Sequence, residues 1–335
     1  MKRVAILLAL SLSLGVFGGC KKDKELGEVG VYMPDGAPSL AFAKLMSEDS
    51  EDDGVFYRVV NPALIQTKVT ADKDEDNADF CVLPVTASSK LLGSGEKYKL
   101  LATVTHGNLF MVSKMQAPTF TQENLHLLKG KTVGVLQIKQ VPGLTFKSIL
   151  KSADIPYQEL TGGVEKSAEK VNLKGISSAS EISVVDADCF ILAQPAVGAV
   201  SSKGFYVVGD LQALYGADEQ GNLGYPQAVL VAKSSFLDEH DAWTKDFLKK
   251  VRESVAWANT ASAETLVSSV SSHLEDSGYQ TTLKAPLLTP TAIAGCSLRY
   301  ALASVCKEQI NAYLLGLKGV DEQAVSTLSE NFFWE

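Results

Sequence analysis

Five residue types in this chain could carry chemistry, and their placement argues for structure or binding rather than turnover. Ser148 and Lys151 frame Ser-Ile-Leu-Lys, the spacing of a serine nucleophile and a lysine base. No Ser-Asp-Asn or Lys-Thr-Gly accompanies the pair, which falls mid-helix in the pattern described below. His106, His126, His240 and His273 show no metal-ligand spacing, and neither His-Glu-x-x-His nor Gly-x-Ser-x-Gly occurs. Cys81 and Cys189 lie inside apolar runs and read as inert core thiols. Cys296 and Cys306 would stand about 15 Å apart on one helix, too far for a disulfide, whereas an intervening turn would let them pair. Asp79 and Asp188 each precede an apolar run and read as acceptors for backbone N–H groups at strand starts, not as a catalytic carboxylate pair. No catalytic residue, metal site or cofactor motif is assigned.

The arginines are Arg3, Arg58, Arg252 and Arg299, too few to supply a bidentate clamp for a carboxylate ligand. Arg58 sits in Tyr57-Arg-Val-Val60, a strand expected at a surface or edge.

The elements that must position these residues emerge from an internal repeat. Val29–Phe42 aligns without a gap on Val133–Phe146, with Val29/Val133, Gly30/Gly134, Val31/Val135, Pro38/Pro142, Leu40/Leu144 and Phe42/Phe146 identical. Each copy reads as a buried strand, a loop with Gly or Pro, and an amphipathic helix. A second pair follows: Ala78–Pro84 matches Ala187–Leu192 with Pro195, each run leading into a small-residue helix start. Two copies of strand–helix–strand–helix predict two α/β lobes, which roughly 310 residues after a leader are enough to fill. Lys99–Val112 is expected to cross from lobe one to lobe two, and Ala228–Ala232 to return. Asp238 is the expected N-cap of a helix carrying Trp243, Phe247, Val251 and Val255 on one face. Further helices are expected over 263–274 and 308–317, while 295–300 is open between strand and helix.

In open α/β sheets ligands bind beyond the carboxyl ends of the strands, so two facing lobes place those ends across a shared cleft. The candidate contacts are Asp35, Gly36, Ala37, Pro38, Thr86 and Ala87 from lobe one. Lobe two supplies Gln140, Val141, Pro142, Gly143 and Gln194. Helix N-termini there favour an anionic group, whereas Asp35 favours a donor or a cation, so the ligand charge stays open. Tyr225, in Gly224-Tyr-Pro226 before the return strand, either stacks on a ligand ring or packs as a turn residue. His106 is either structural or a ligand contact.

The first residues point to export. Lys2 and Arg3 precede an apolar stretch too short for an ordinary membrane span, ending in Gly15-Val-Phe-Gly-Gly-Cys20. The segment resembles a bacterial lipoprotein signal, with Phe17 where leucine is usual. The resemblance implies acylation of Cys20 and a membrane anchor, with residues 1–19 as the leader and 20–27 as the tether. Lys21–Glu25 would then be a solvated tether or touch anionic headgroups. The formal charge is -8, and -10 once Lys2 and Arg3 leave. Acidic runs at 48–53 and 72–79, with no basic stripe, exclude nucleic acid as a partner.

The Pro-Asp-Gly-Ala-Pro loop within Val31–Leu45, together with Leu128-Lys-Gly-Lys-Thr-Val-Gly-Val135 and Val141-Pro-Gly-Leu-Thr-Phe146, resembles ABC importer solute-binding proteins. The group is the nitrate/sulfonate/taurine and thiamine-precursor type, and the likeness extends over nearly all of the chain after the leader. It implies a two-lobed type II periplasmic-binding-protein-like fold, each lobe a mostly parallel sheet flanked by helices. Lobe one is expected over 28–111 plus 229–335 and lobe two over 112–228. The implied role is an extracytoplasmic, membrane-anchored monomer that captures a small-molecule solute and passes it to an ABC permease. Ser297 and Arg299 are weaker candidates from the C-terminal stretch. The same fold also hosts biosynthetic enzymes and receptors that serve sensors, and the leader and Cys20 argue against a cytosolic enzyme.

Overall fold

The computed structural model describes residues 26–49, 54–217, 221 and 223–335; the expected leader and Cys20 lie outside the described residues. The apolar run Val29–Pro34 is strand β1, buried at every position but Tyr32, as a run without polar alternation requires. It leads through short helices α1 (Ala37–Leu40) and α2 (Ala43–Ser47) to β2 (Val55–Val60). Strand β3 (Phe80–Pro84), helix α3 (Val85–Leu92) and β4 (Tyr98–Thr105) complete the first pass. The second lobe follows with β5 (Leu109–Ser113), β6 (Thr132–Leu136), α4 (Val141–Ser152), β7 (Tyr157–Glu159) and β8 (Val171–Ile176). It closes with β9 (Cys189–Ala193), α5 (Ala196–Ser201), β10 (Tyr206–Asp210) and α6 (Leu211–Tyr215). The return brings β11 (Ala228–Lys233), α7 (Ser234–Glu239), α8 (Asp241–Ala258) and α9 (Ala263–Ser272). Helix α10 (Pro290–Gly295), β12 (Leu298–Leu302) and α11 (Ala303–Val320) end the regular structure, apart from short 3-10 turns.

The strands form two six-stranded sheets, β12-β4-β11-β3-β1-β2 and β10-β5-β9-β6-β8-β7. The two-lobed α/β architecture implied by the repeat is therefore present. Parallel pairing joins β3, β1 and β2 in the first sheet and β9, β6, β8 and β7 in the second. Every pair made by β4, β5 or β11 is antiparallel, so both sheets are mixed, with the parallel part confined to the βαβ half. Arg58 lies on edge strand β2, as its sequence context indicated.

The crossings are short. Leu109 already belongs to the second sheet, so the chain crosses at residues 106–108, and the border expected at 111/112 falls inside β5. On the way back, Gly224–Gln227 run directly into β11. Gly107 (φ +80°) and Gly224 (φ +94°) both take backbone conformations that favour glycine. A Cβ on Gly224 would stand 2.5 Å from the His106 carbonyl oxygen, and one on Gly107 2.9 Å from the Gln212 side chain. The two connecting segments thus pass at a separation that side chains would forbid.

The strand starts are tied in the same way in both lobes. The Gly30 N–H donates to Asp79 Oδ2 at 2.9 Å, and the Thr132 N–H to Asp188 Oδ2 at 2.7 Å. Both aspartates thus have the structural role their positions indicated.

One face of the first sheet packs beneath α2, α8 and α9, burying Met33, Leu40, Phe80, Leu101, Phe247 and Val251 in one cluster. Asp238 lies within α7 and does not cap α8, which starts at Asp241 after a bend at His240 (φ -133°, ψ 40°). The opposite face is continuous with the second lobe: Cys81, Leu83 and Val229 share a cluster with Met111, Val133 and Ile191, and with Ile310, Tyr313 and Leu314 of α11. Helix α11 leaves the first sheet at β12 yet lies against α4. The Thr145 and Tyr313 hydroxyls are 2.7 Å apart, and Lys151 Nζ donates to the Gly319 carbonyl at 2.5 Å. The segment 229–335, expected to be wholly lobe one, therefore also covers lobe two.

All four described cysteines are free thiols and buried. A turn and β12 do separate Cys296 from Cys306, but the two residues fall into clusters on opposite faces of the first sheet, so they do not pair. Burial pushes the Cys189 and Cys296 thiols up to about 12 and Cys306 up to about 11, which leaves none of them as a thiolate nucleophile at neutral pH.

Candidate functional site

Strand β1 ends at the loop that begins with Asp35. This carboxylate is buried and accepts four hydrogen bonds: Oδ1 accepts from Thr281 Oγ1 at 2.6 Å, and Oδ2 from the Thr282 N–H at 2.7 Å, Thr282 Oγ1 at 2.8 Å and the Tyr279 hydroxyl at 3.0 Å. Burial and the adjacent Asp35 charge push the Tyr279 phenol up, which keeps it a donor. Asp35 therefore fastens the 279–282 segment to the end of β1, a framework role that sequence reasoning did not give it. The adjacent positions differ. A Cβ built on Gly36 (φ +106°) meets no atom within 4 Å, so the backbone there borders open space. Ala37 is buried and Pro38 half-buried.

Strand β3 ends at Pro84, and α3 begins at once. Its first N–H, from Val85, donates to the Gln227 carbonyl at 2.9 Å, while Thr86 and Ala87 occupy the next two positions and are buried. In lobe two, β6 ends in a tight turn in which the Gln140 N–H donates to the Gln137 carbonyl at 2.7 Å. Gln140 is exposed and precedes α4, whose first turn carries Val141, Pro142 and Gly143, all buried. A Cβ on Gly143 would stand 2.1 Å from the Ile138 carbonyl oxygen, so this turn closes on itself. Lys147 Nζ completes it, donating to the Ile138 carbonyl at 3.0 Å and to Glu159 Oε1 at 2.5 Å.

Gln194 follows β9 and sits at the centre of the crossing. Its N–H donates to the Asn108 carbonyl at 2.9 Å, and its own carbonyl accepts from Asn108 Nδ2 at 3.1 Å. Gln227 Nε2 donates to Asn108 Oδ1 at 2.9 Å, so one asparagine ties the end of β9 to the segment returning beside β3. The lobes touch at the same level: a Cβ on Gly295 would lie 3.2 Å from Gln194 Cγ and 3.1 Å from Phe110 Cζ, and one on Gly198 would lie 2.8 Å from the Leu287 carbonyl. His106 joins from the hinge, its N–H donating to the Ser297 carbonyl at 3.0 Å and its Nε2 3.3 Å from Thr103 Oγ1. Arg299 donates to the Leu223 carbonyl at 3.3 Å, so Ser297 lies beside the outgoing crossing and Arg299 beside the return segment.

Tyr225 does not face a ligand. It is fully buried, stacked on Tyr313 with centroids 5.0 Å apart and edge-on to Tyr215 at 5.3 Å, and its hydroxyl reaches Gln212 Oε1 at 3.4 Å. Of the two readings left open for it, packing is the one present, and its role as a ligand contact is corrected.

The structure thus gathers Gly36, Thr86 and Gln194 at strand ends, removes Asp35 and Tyr225 to the framework, and adds Asn108, Gln212 and Gln227, which sequence reasoning passed over. Their one signal was a concentration of amide side chains at the two crossings. Ser148 is buried within α4 and Lys151 is spent on Gly319, so the pair has no catalytic arrangement. Among the described residues no three His, Cys, Asp or Glu side chains are grouped to hold a metal ion, and no helix is long and apolar enough to cross a membrane. A shallow groove lies elsewhere, at the edge of the second sheet between Phe120, Gln122, Asp210 and Leu214.

No protein-family model matches the chain, and no curated protein matches it in sequence. Solved structures do match it in shape. An ABC transporter protein from Parabacteroides distasonis is similar at a TM-score of 0.69 and 20% identity, over 92% of this chain and 98% of that one. The periplasmic aliphatic sulphonate binding protein of Escherichia coli is similar at 0.61 and 12%, over 92% of each chain. The alkanesulfonate-binding protein of Xanthomonas axonopodis pv. citri, solved with MOPS bound, is similar at 0.57 and 13%, over 92% of this chain and 99% of that one. The fold is that of these two-lobed binding proteins.

Proposed function

We propose that this chain is the solute-binding component of an ABC importer: an extracytoplasmic protein, anchored through an acylated Cys20, that takes a small molecule between its lobes and presents it to a permease. The observation that carries the reading is the convergence of strand ends from both lobes on one crossing, where Asn108 holds the Gln194 loop to the Gln227 segment. A binder that closes over its solute needs two bodies and a short connection between them, and this chain has two sheets joined by short crossings. The structural neighbours named for ABC transport and sulfonate binding support the same reading. Gly36, Ala37, Pro38, Thr86 and Ala87 would form one wall, and Gln140–Gly143 with Gln194 the other.

The test is native mass spectrometry of the protein taken from its own membranes, followed by thermal unfolding with and without the recovered molecule. One solute per chain is expected, recovered unchanged. At a hundredfold excess over Kd it should stabilise the fold by about 2.7 kcal/mol. Conversion of the recovered molecule to a product would replace binding with catalysis.

A further inference from the structure

Two buried amide oxygens at the crossing have no hydrogen-bond partner: Gln194 Oε1 and Gln227 Oε1. For Gln227 the neighbours settle which amide atom this is. Asn108 Nδ2 lies 3.1 Å from the Gln194 main-chain carbonyl, a group that only accepts, so Asn108 turns its nitrogen there and its oxygen toward Gln227. Gln227 must meet that oxygen with its Nε2, at 2.9 Å, and its own Oε1 is the atom left over. Gln194 is 8% exposed, so water does not wet its side chain freely. Buried carbonyl oxygens are nearly always hydrogen-bonded, and a pair left bare at one place calls for an explanation.

Their positions supply one. Gln194 follows the carboxyl end of β9 in lobe two. Gln227 stands beside the carboxyl end of β3 in lobe one, where its carbonyl receives the first N–H of α3. One buried amide with an unpaired polar atom therefore comes from each lobe, an acceptor in the case of Gln227, and both residues are bonded to Asn108. No lysine or arginine occurs in 34–38, 84–87, 194–195 or 224–227, and Lys139, in the remaining strand-end loop, is engaged by Glu159 at 3.1 Å.

We propose that the bound solute is a hydrogen-bond donor at this end: a neutral or cationic molecule with an N–H or O–H group that reaches Gln227 Oε1 and a polar group against the Gln194 amide, and not a sulfonate or nitrate ion. Such anions present only acceptor oxygens, which Gln227 Oε1 repels. The inference rests on the reading of the interlobe cleft as the solute site.

The experiment compares two probe sets by thermal shift and calorimetry. Nicotinamide, cytosine and ethanolamine carry donors; methanesulfonate, butanesulfonate and nitrate carry none. The same measurements are made on Gln194→Met, which keeps the length of the side chain and removes its amide. In parallel, any solute carried through purification is counted for exchangeable hydrogens by its mass shift in deuterium oxide. The expected result is binding by the donor set, or a carried solute with at least one exchangeable hydrogen. In either case affinity should be at least tenfold weaker in Gln194→Met, with an unliganded melting temperature equal to or above wild type. That last readout separates a ligand contact from a structural one, because losing an unpaired buried polar atom does not cost the unliganded fold a bond. Tighter binding of any anion than of every donor, a carried solute without exchangeable hydrogens, or unchanged affinity in Gln194→Met overturns the inference and leaves the solute-binding reading standing. Absence of both a carried solute and probe binding overturns that reading and the inference with it.

Discussion

Tyr225 lies ring on ring with Tyr313, their centroids 5.0 Å apart and their planes 17° from parallel. The first residue belongs to the segment returning between the lobes and the second to α11, so the return is clamped against the helix that spans both sheets. Tyr313→Ala should destabilise the fold by about 3–5 kcal/mol, the usual cost of deleting a buried aromatic ring. Tyr313→Phe should cost only about 1 kcal/mol, since the Thr145 hydroxyl keeps its 2.7 Å bond to the Val141 carbonyl. Urea unfolding of both variants measures the difference, and equal losses would mean that the hydroxyl rather than the ring carries the clamp.

Asp35→Ala tests the framework role of that residue. Removing the carboxylate leaves the buried Thr281 hydroxyl and Thr282 N–H without their acceptor, so a loss of about 3 kcal/mol is expected in denaturant titration. A variant as stable as wild type would return Asp35 to the ligand wall.

Acid sensitivity should have one identifiable source at Glu159. Burial pushes its carboxyl up, but hydrogen bonds from Lys147 and Lys139 outweigh burial and hold it below the ordinary value of 4.5. A carboxylate lowered in the folded state stabilises above its unfolded value, and that stability is lost as pH falls through the folded one. Glu159→Gln should therefore lose stability at neutral pH and show a shallower decline below about pH 4.5. Melting temperatures from pH 7 to 3 give the comparison; parallel curves would remove Glu159 from the account.

Thiol counting addresses the anchor. The sequence has five cysteines, and the four in the described residues are buried. Native protein should react slowly with a thiol reagent at those four. After denaturation, protein extracted from membranes should titrate four thiols, because thioether acylation consumes Cys20, and an unprocessed form should titrate five. Five thiols in the membrane-extracted protein would rule the anchor out. Cys20→Ala should correspondingly release the protein into the soluble fraction.

The fold was legible because the repeat preserves a local pattern: Val29–Phe42 and Val133–Phe146 each keep a continuous apolar run, a Pro-containing loop and helical spacing within fourteen residues. Asp79 and Asp188 were legible for the same reason. What escaped depends on distant partners. Asp35 looked like a loop carboxylate because Tyr279, Thr281 and Thr282, which consume it, lie 244 to 247 residues further on. Tyr225 looked equally able to stack on a ligand, since nothing local announces Tyr313. Asn108, Gln212 and Gln227 have no periodicity to betray them, and only the meeting of two crossings makes them one network.

Helix α11 has no counterpart in the repeat, and this breaks the pseudo-symmetry of the two lobes. It is covalently continuous with β12 of one sheet and fastened to α4 of the other through Thr145–Tyr313 and Lys151–Gly319. Mechanically, the joint between the lobes is a hinge with a brace on one side. Rotation that slides α4 along α11 retains packing, whereas rotation that lifts α4 away must break buried contacts. Any separation of the lobes that parted α4 from α11 would have to break the Thr145–Tyr313 and Lys151–Gly319 bonds.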